Sequence, residues 1–304
     1  MDNLSADESS MLNTLKVILR SLLPFGLVMA VHRHRARQNH LAMTRADVHR
    51  ERHQLIEKLR STNATRGRVV DPFDYPGLIG FHVARGLARL HVTEGSIPAG
   101  SLSYIRETLA SAGFEGPVHG LHIGNYVGVS LAYVTQVLVS IHPESRVFAI
   151  DPNIPHRGTS NPQSHVAALL AACGLKDSVV ILAGFSGRKS VSNDGVIFDG
   201  YDPLANNASE ISVENVLDSL GAVLQGNFRF ALLDGNHEAD YLRNEINRLK
   251  RLLAPDAIVV LDDVDEAWAE LKTVFEEVRN EEFSYVGTDG RVGILQHRPR
   301  IATG

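Results

Sequence analysis

The feature that most constrains this chain is a rhythm. From about residue 100 to residue 280, short apolar runs alternate with longer stretches of helical periodicity, and most of the apolar runs stop on glycine or aspartate. The segment SLSYIRETLASAG has helical spacing and closes at Gly113, after which PVHGLHIGNY is a short apolar strand running into a turn. GVSLAYVTQVLVSIHP is a helix stopped at Pro143 and SRVFAID a strand ending on Asp151. SHVAALLAACGL is a helix closed by Gly174, and SVVILAG is a further strand. After a polar interruption the rhythm resumes with NFRFALLDG as strand and YLRNEINRLKRLLAP as helix, its stripe of Leu242, Ile246, Leu249 and Leu253 running to Pro255. AIVVLDD is then a strand and EAWAELKTVFEEV a helix.

Strands separated by helices return parallel, so the pattern predicts a sheet with helices on both faces. The last apolar runs, EFSYVGTDGRVGILQH, flank Asp289-Gly290 with no helix between them, which predicts a hairpin. The fold class is therefore α/β, a Rossmann-like, doubly wound and mostly parallel seven-stranded sheet with a C-terminal antiparallel hairpin.

The N-terminal region departs from this rhythm. Residues 31–60 hold eight Lys or Arg against three acids, so the other residues carry -5 - 5 = -10 of the formal net charge of -5. That overall balance argues against a nucleic-acid partner. Within residues 11–37 the longest charge-free stretch, Ser21 to Val31, is far short of the roughly 20 residues that span a bilayer. Three readings of this segment stay open. It is a signal peptide with an unusual acidic start, an amphipathic helix lying on an anionic membrane surface, or a helix packing on its own domain or on a second copy in a homo-oligomer. The stretch STNATRGRVVDPFDYPG collects Asn, Gly and Pro and closes the region. The expected organisation is a basic, amphipathic extension over 1–75 and a main domain over 76–304 that includes a cap segment, 76–115. The polar segment at 187–212 is expected to be an inserted surface loop.

With 44% hydrophobic and 21% charged residues the chain is neither disordered nor fibrous. One cysteine, Cys173, allows no internal disulfide and no cysteine-built zinc cluster, which fits a reducing, cytoplasmic setting, at the inner membrane face if the N-terminal helix binds lipid.

In open parallel sheets ligands bind outside the carboxyl ends of the strands. The residues there are HIGNYVGVS at 122–130, Asp151, Phe185-Ser186, Asp234 to His237, and Asp262-Asp263. Gly124 and Gly128 let backbone approach a ligand, and an acid in the position of Asp151 is placed for ribose hydroxyls, so an adenosine-containing cofactor is expected. A nicotinamide dinucleotide normally brings a G-x-G-x-x-G turn, which HIGNYVG lacks.

HIGNYVGVS, FAIDPN, LLDGNH and VVLDD, in that order, resemble the class I S-adenosylmethionine-dependent methyltransferases. More narrowly they are similar to the branch that contains the macrocin and mycinamicin sugar O-methyltransferases. The likeness covers roughly residues 95–295, and the D-G-x-H signature followed by an acidic pair is its most specific part. The resemblance implies S-adenosyl-L-methionine held by His122, Gly124, Asn125, Tyr126, Gly128, Ser130, Asp151, Phe185 and Ser186. It also implies Mg2+ held by Asp234, Asp262 and Asp263. His237 would then take the proton from an acceptor hydroxyl on a small molecule or glycan, with Asp234 as its catalytic partner. Carboxylates from neighbouring strand ends are the hard oxygen ligands that magnesium prefers. Two positions depart from the family: His122 stands where an acid is usual, and Phe185 where an acid is frequent. They keep a second reading open, a catalytically silent protein of the same fold that works by binding or assembly. Asp-Gly turn chemistry and helix capping are the plain structural accounts of Asp234 and of Asp262-Asp263.

Overall fold

A computed structural model describes residues 70–187, 215–224, 226–279 and 282–299. The segment 11–37, the basic window and most of the polar insertion lie outside the described residues. Three helices come first: α1 (Tyr75–Ala84), α2 (Arg89–Glu94) and α3 (Ala99–Ser111). The alternating part follows as β1 (His119–Ile123), α4 (Val129–Ile141), β2 (Arg146–Asp151), α5 (Pro162–Ala172) and β3 (Val179–Ala183). It continues with α6 (Val216–Gly221), β4 (Phe228–Leu233), α7 (Ala239–Leu249), β5 (Leu253–Leu261) and α8 (Ala269–Val278), and ends with the pair β6 (Phe283–Thr288) and β7 (Gly293–His297).

The strands form one seven-stranded sheet in the order β3-β2-β1-β4-β5-β7-β6. The first five are parallel, and β7 runs antiparallel to both β5 and β6. The predicted fold class is the one found, and the order reverses between β1 and β4. Period-two alternation gives the sheet two apolar faces. Ala149, Phe230, Leu232, Ile258 and Val260 pack with α1, α3, α4 and α5, while Leu121, Ile123, Ala231, Leu233, Val259 and Leu261 pack with α7 and α8. The register is level at one edge, with Ile123 beside Ile150 and Leu233, and Leu233 beside Leu261. The residues that follow each of these therefore emerge side by side.

Three boundaries differ from expectation. α1 and α2 fill a stretch in which no helix was predicted; α1 starts where Pro76 presets its first turn. α7 ends at Leu249 and β5 begins at Leu253, so Pro255 lies inside a strand. It is tolerated there because the β4–β5 pairing is irregular between Phe228 and Phe230, where Asp256 takes a φ of 62°. Finally, EAWAELKTVFEEV is a 3-10 turn, Glu266–Trp268, leading into α8, because the Asp265 carboxylate accepts from the Ala267 amide and starts the chain tightly. That turn is what sets Trp268 beside the site.

Candidate active site

The turns after β1 and β4 are locked together. Gly124 takes a φ of 80°, and a Cβ placed on it would lie 1.8 Å from the carbonyl oxygen of Asp234. Only glycine fits so close an approach. Tyr126, at a φ of 43°, and Asp263, at 56°, are held in the left-handed region, which costs a non-glycine residue about 1–3 kcal/mol. Around these turns lies a cavity of about 340 Å³. Gly124, Tyr126, Asp151, Phe185, Ser186, Asp234, His237 and Asp263 all line it, which brings together eight of the residues predicted from sequence.

The remaining predicted residues support this wall from behind. Gly128 caps α4 at a φ of 90°, and its amide donates to the Asn125 carbonyl at 2.7 Å. The Ser130 hydroxyl accepts from the Ile97 amide at 3.2 Å and so anchors the segment before α3. His122 is wholly buried; burial lowers its pKa to about 3, so the imidazole is neutral throughout the physiological range. Its ring faces the Asn125 side chain without reaching hydrogen-bond geometry. The missing acid at position 122 is thus a change in the core beneath the turn rather than on the cavity wall.

Asp151 has a further role that its position alone did not suggest. One carboxylate oxygen accepts from the amides of Asn125 (2.9 Å) and Tyr126 (3.2 Å), and the other from Asn153 (2.8 Å). Burial raises its pKa and these three bonds oppose the rise. The acid clasps the β1–α4 turn while still facing the cavity. Above it, Tyr126 donates to the Arg157 carbonyl at 3.1 Å, and the Arg157 guanidinium pairs with Glu94 at 2.9 Å.

At the β4 and β5 ends, three carboxylates meet one arginine. Arg291, from the hairpin turn between β6 and β7, grips both oxygens of Asp262 at 2.8 and 3.0 Å and reaches Asp263 at 3.1 Å. The other oxygen of Asp263 meets His237 Nε2 at 2.8 Å, and the His237 ring stacks on Trp268 with centroids 4.4 Å apart. Burial, and then the charges of Asp262 and Asp263, push the Asp234 pKa well above its ordinary value. Burial raises Asp262 too, against the hydrogen bonds of Arg291. Arg291 is held up by the surrounding carboxylates although burial alone would lower it.

The metal-ligating geometry differs from the expected trio in one member. Ligand atoms of Asp234, His237 and Asp263 lie within 4.8 Å of one another, whereas Asp262, beside Asp234, has both oxygens engaged by Arg291 and does not line the cavity. A buried carboxylate needs a partner, and Arg291 supplies it. Three carboxyl groups share one arginine, and the raised pKa values of Asp234 and Asp262 show that this single positive charge does not fully compensate them. A divalent cation matches that deficit in charge and in donor type.

At the β3 end the wall is of another kind. The Ser186 hydroxyl donates to Glu245 Oε1 and lies 3.1 Å from the Tyr241 hydroxyl, which accepts from the Gly187 amide at 3.2 Å. Glu245 is 1% exposed, and burial lifts its pKa to about 8, with the Ser186 bond opposing. Arg291, Trp268, Tyr241 and Glu245 had not been singled out from sequence. Glu245 alone left a signal there, an acid on the apolar stripe between Leu242 and Ile246.

Residues 121–264 match the family model described as a methyltransferase domain. That match runs from β1 to just past the end of β5. The Rossmann-like, mostly parallel seven-stranded fold expected from the motifs is the fold observed. Among solved structures, the chain is similar to an O-methyltransferase from Bacillus cereus in complex with S-adenosylhomocysteine. That match has 12% identity and a TM-score of 0.48 over 74% of this chain and 90% of that one. A methyltransferase from Geobacter sulfurreducens matches at 14% identity and a TM-score of 0.47, covering 80% of this chain and 96% of that one. The MycE methyltransferase of mycinamycin biosynthesis, complexed with Mg, S-adenosylhomocysteine and mycinamycin VI, matches at 14% identity and a TM-score of 0.39, over 66% and 49%. No curated protein matches the chain by sequence. Among the described residues no helix is long and apolar enough to cross a membrane.

Proposed function

We propose that the methyltransferase domain moves the methyl group of S-adenosylmethionine to a hydroxyl oxygen of a sugar, glycan or glycosylated natural product, with the help of Mg2+. The observation that carries this reading is the cluster at one end of the cavity, where ligand atoms of Asp234, His237 and Asp263 converge within 4.8 Å of one another. Asp234 and Asp263 would hold the ion, and a bound Mg2+ supplies Lewis acidity that makes an acceptor hydroxyl easier to deprotonate. Asp262, locked by Arg291, would stay behind them as a fixed counter-charge.

His237 is the base. In the tautomer that donates Nε2–H to Asp263, Nδ1 carries the lone pair that receives the hydroxyl proton. Asp263 then stabilises the imidazolium, and Trp268 fixes the plane of the ring. A bound cofactor would supply an electrophilic methyl group, its sulfur–methyl bond breaking to leave S-adenosylhomocysteine, while His237 holds the proton given up by the acceptor hydroxyl.

Calorimetric titration tests the reading. The protein should bind S-adenosylhomocysteine saturably and NAD not at all, and transfer of labelled methyl to hydroxylated glycosides should require Mg2+ and fall at least a hundredfold in Asp234→Ala. Absence of S-adenosylhomocysteine binding would overturn the cofactor assignment. Full activity after chelation would overturn the metal.

A further inference from the structure

The cavity has one chemical pole that the reaction does not use. Ser186 follows β3 and Asp263 follows β5, and four strand steps separate these two strands in the sheet. At the usual strand spacing that is about 19 Å. The transferable methyl must reach the Asp263 end, where the base and the acids stand. The part of the cofactor remote from the methyl is its purine, and it is left with the walls at the β3 end: Phe185, Ser186, Tyr241 and Glu245.

Phe185 offers a ring face and no hydrogen bond from its side chain. Recognition of a purine edge must come from elsewhere on that wall. Glu245 is an acid in the interior, presented from α7 with only Oε1 engaged, by Ser186. Its second oxygen, Oε2, is buried and has no partner among the described residues. A buried polar atom without a partner is costly, which favours a ligand that completes it.

Resting on the cofactor assignment above, we propose that Glu245, aligned by Ser186 and Tyr241, reads the purine edge that carries the 6-amino group and so selects adenine. The chain thereby replaces the acid absent at position 185 with one borrowed from the helix after β4. In its neutral form the carboxyl offers one acceptor and one donor side by side. Adenine presents the complement, an amino donor at C6 and an acceptor at N1. Hypoxanthine reverses both, with a carbonyl at C6 and an N–H at position 1.

The experiment compares the Kd of S-adenosylhomocysteine with that of S-inosylhomocysteine, in which the 6-amino group is replaced by oxygen. The wild-type protein should favour the adenosyl compound by at least thirtyfold. Glu245→Met, which keeps the volume and removes both polar atoms, should lower that preference to within threefold by weakening the adenosyl compound alone. Glu245→Gln, which again offers an acceptor and a donor, should restore it. Equal weakening of both ligands in Glu245→Met would assign the residue to packing and overturn the proposal, as would an unchanged preference. If Glu245→Met fails to fold, Ser186→Ala and Tyr241→Phe stand in for it, each expected to cut the preference severalfold. Failure of the wild-type protein to bind S-adenosylhomocysteine would instead strike the cofactor assignment itself.

Discussion

The two ends of the cavity surround the same functional group with different partners. At the β4–β5 end the carboxyl groups of Asp262 and Asp263 are held close to a guanidinium, which opposes the rise that burial imposes on Asp262. At the β3 end Glu245 has two hydroxyl-bearing neighbours and, among the described residues, no cation paired with it, and burial lifts its pKa to about 8. Burial is common to both. The ends differ in whether a fixed positive charge shares the acids' surroundings, which suits one to the proposed cation and the other to hydrogen bonding.

The most disruptive test of this contrast removes the contact that keeps the two ends in one frame. Gly124→Ala sets a methyl group against the Asp234 carbonyl in a left-handed backbone conformation, so both turns must move. Stability in denaturant titrations should fall by about 4 kcal/mol, near the upper end for single substitutions. Cofactor binding should be lost with it.

The next test unbalances the charged end alone. Arg291→Met leaves Asp262, 4% exposed, without its partner and should cost about 3 kcal/mol at neutral pH, as expected when one member of a buried pair is removed. Added Mg2+ should recover part of that loss in thermal melts. The neutral end should be unaffected, with its purine preference intact.

The smallest effect sharpens the neutral end. Glu245 has its folded-state pKa raised from 4.5 to about 8, so between these values the folded protein holds a proton that the unfolded chain has released. Its contribution to stability is complete below the unfolded value and is lost as pH rises towards 8. Between pH 6 and pH 8 the wild-type protein should lose about 2 kcal/mol through this group, and Glu245→Gln should flatten that slope. A slope unchanged in the glutamine variant would mean that Glu245 is already ionised.

What the sequence disclosed follows the same divide. The strand ends were readable because each apolar run stops abruptly, and level registers bring Gly124, Asp151, Asp234 and Asp263 to one edge. Contacts set by tertiary geometry were not. That Arg291 reaches Asp262 depends on where a hairpin turn points, which no local periodicity encodes. The start of β5 was missed because Leu253 continues the helical stripe of α7 while its burial and pairing belong to the sheet. Glu245 did interrupt an apolar stripe, and an acid in that position is a detectable anomaly. Its partner Ser186, 59 residues earlier in the chain, could come only from the fold.

Arg291 also separates two things that usually change together. It stands directly after an Asp-Gly pair, in a hairpin turn, the kind of place where proteins accept replacements and insertions without loss of the underlying sheet. A lineage could therefore alter the charge at position 291, and with it the ion preferred among the acids, while every strand stayed as it is. The strand order would survive such a change, and its cost would fall on the buried acid that Arg291 now pairs.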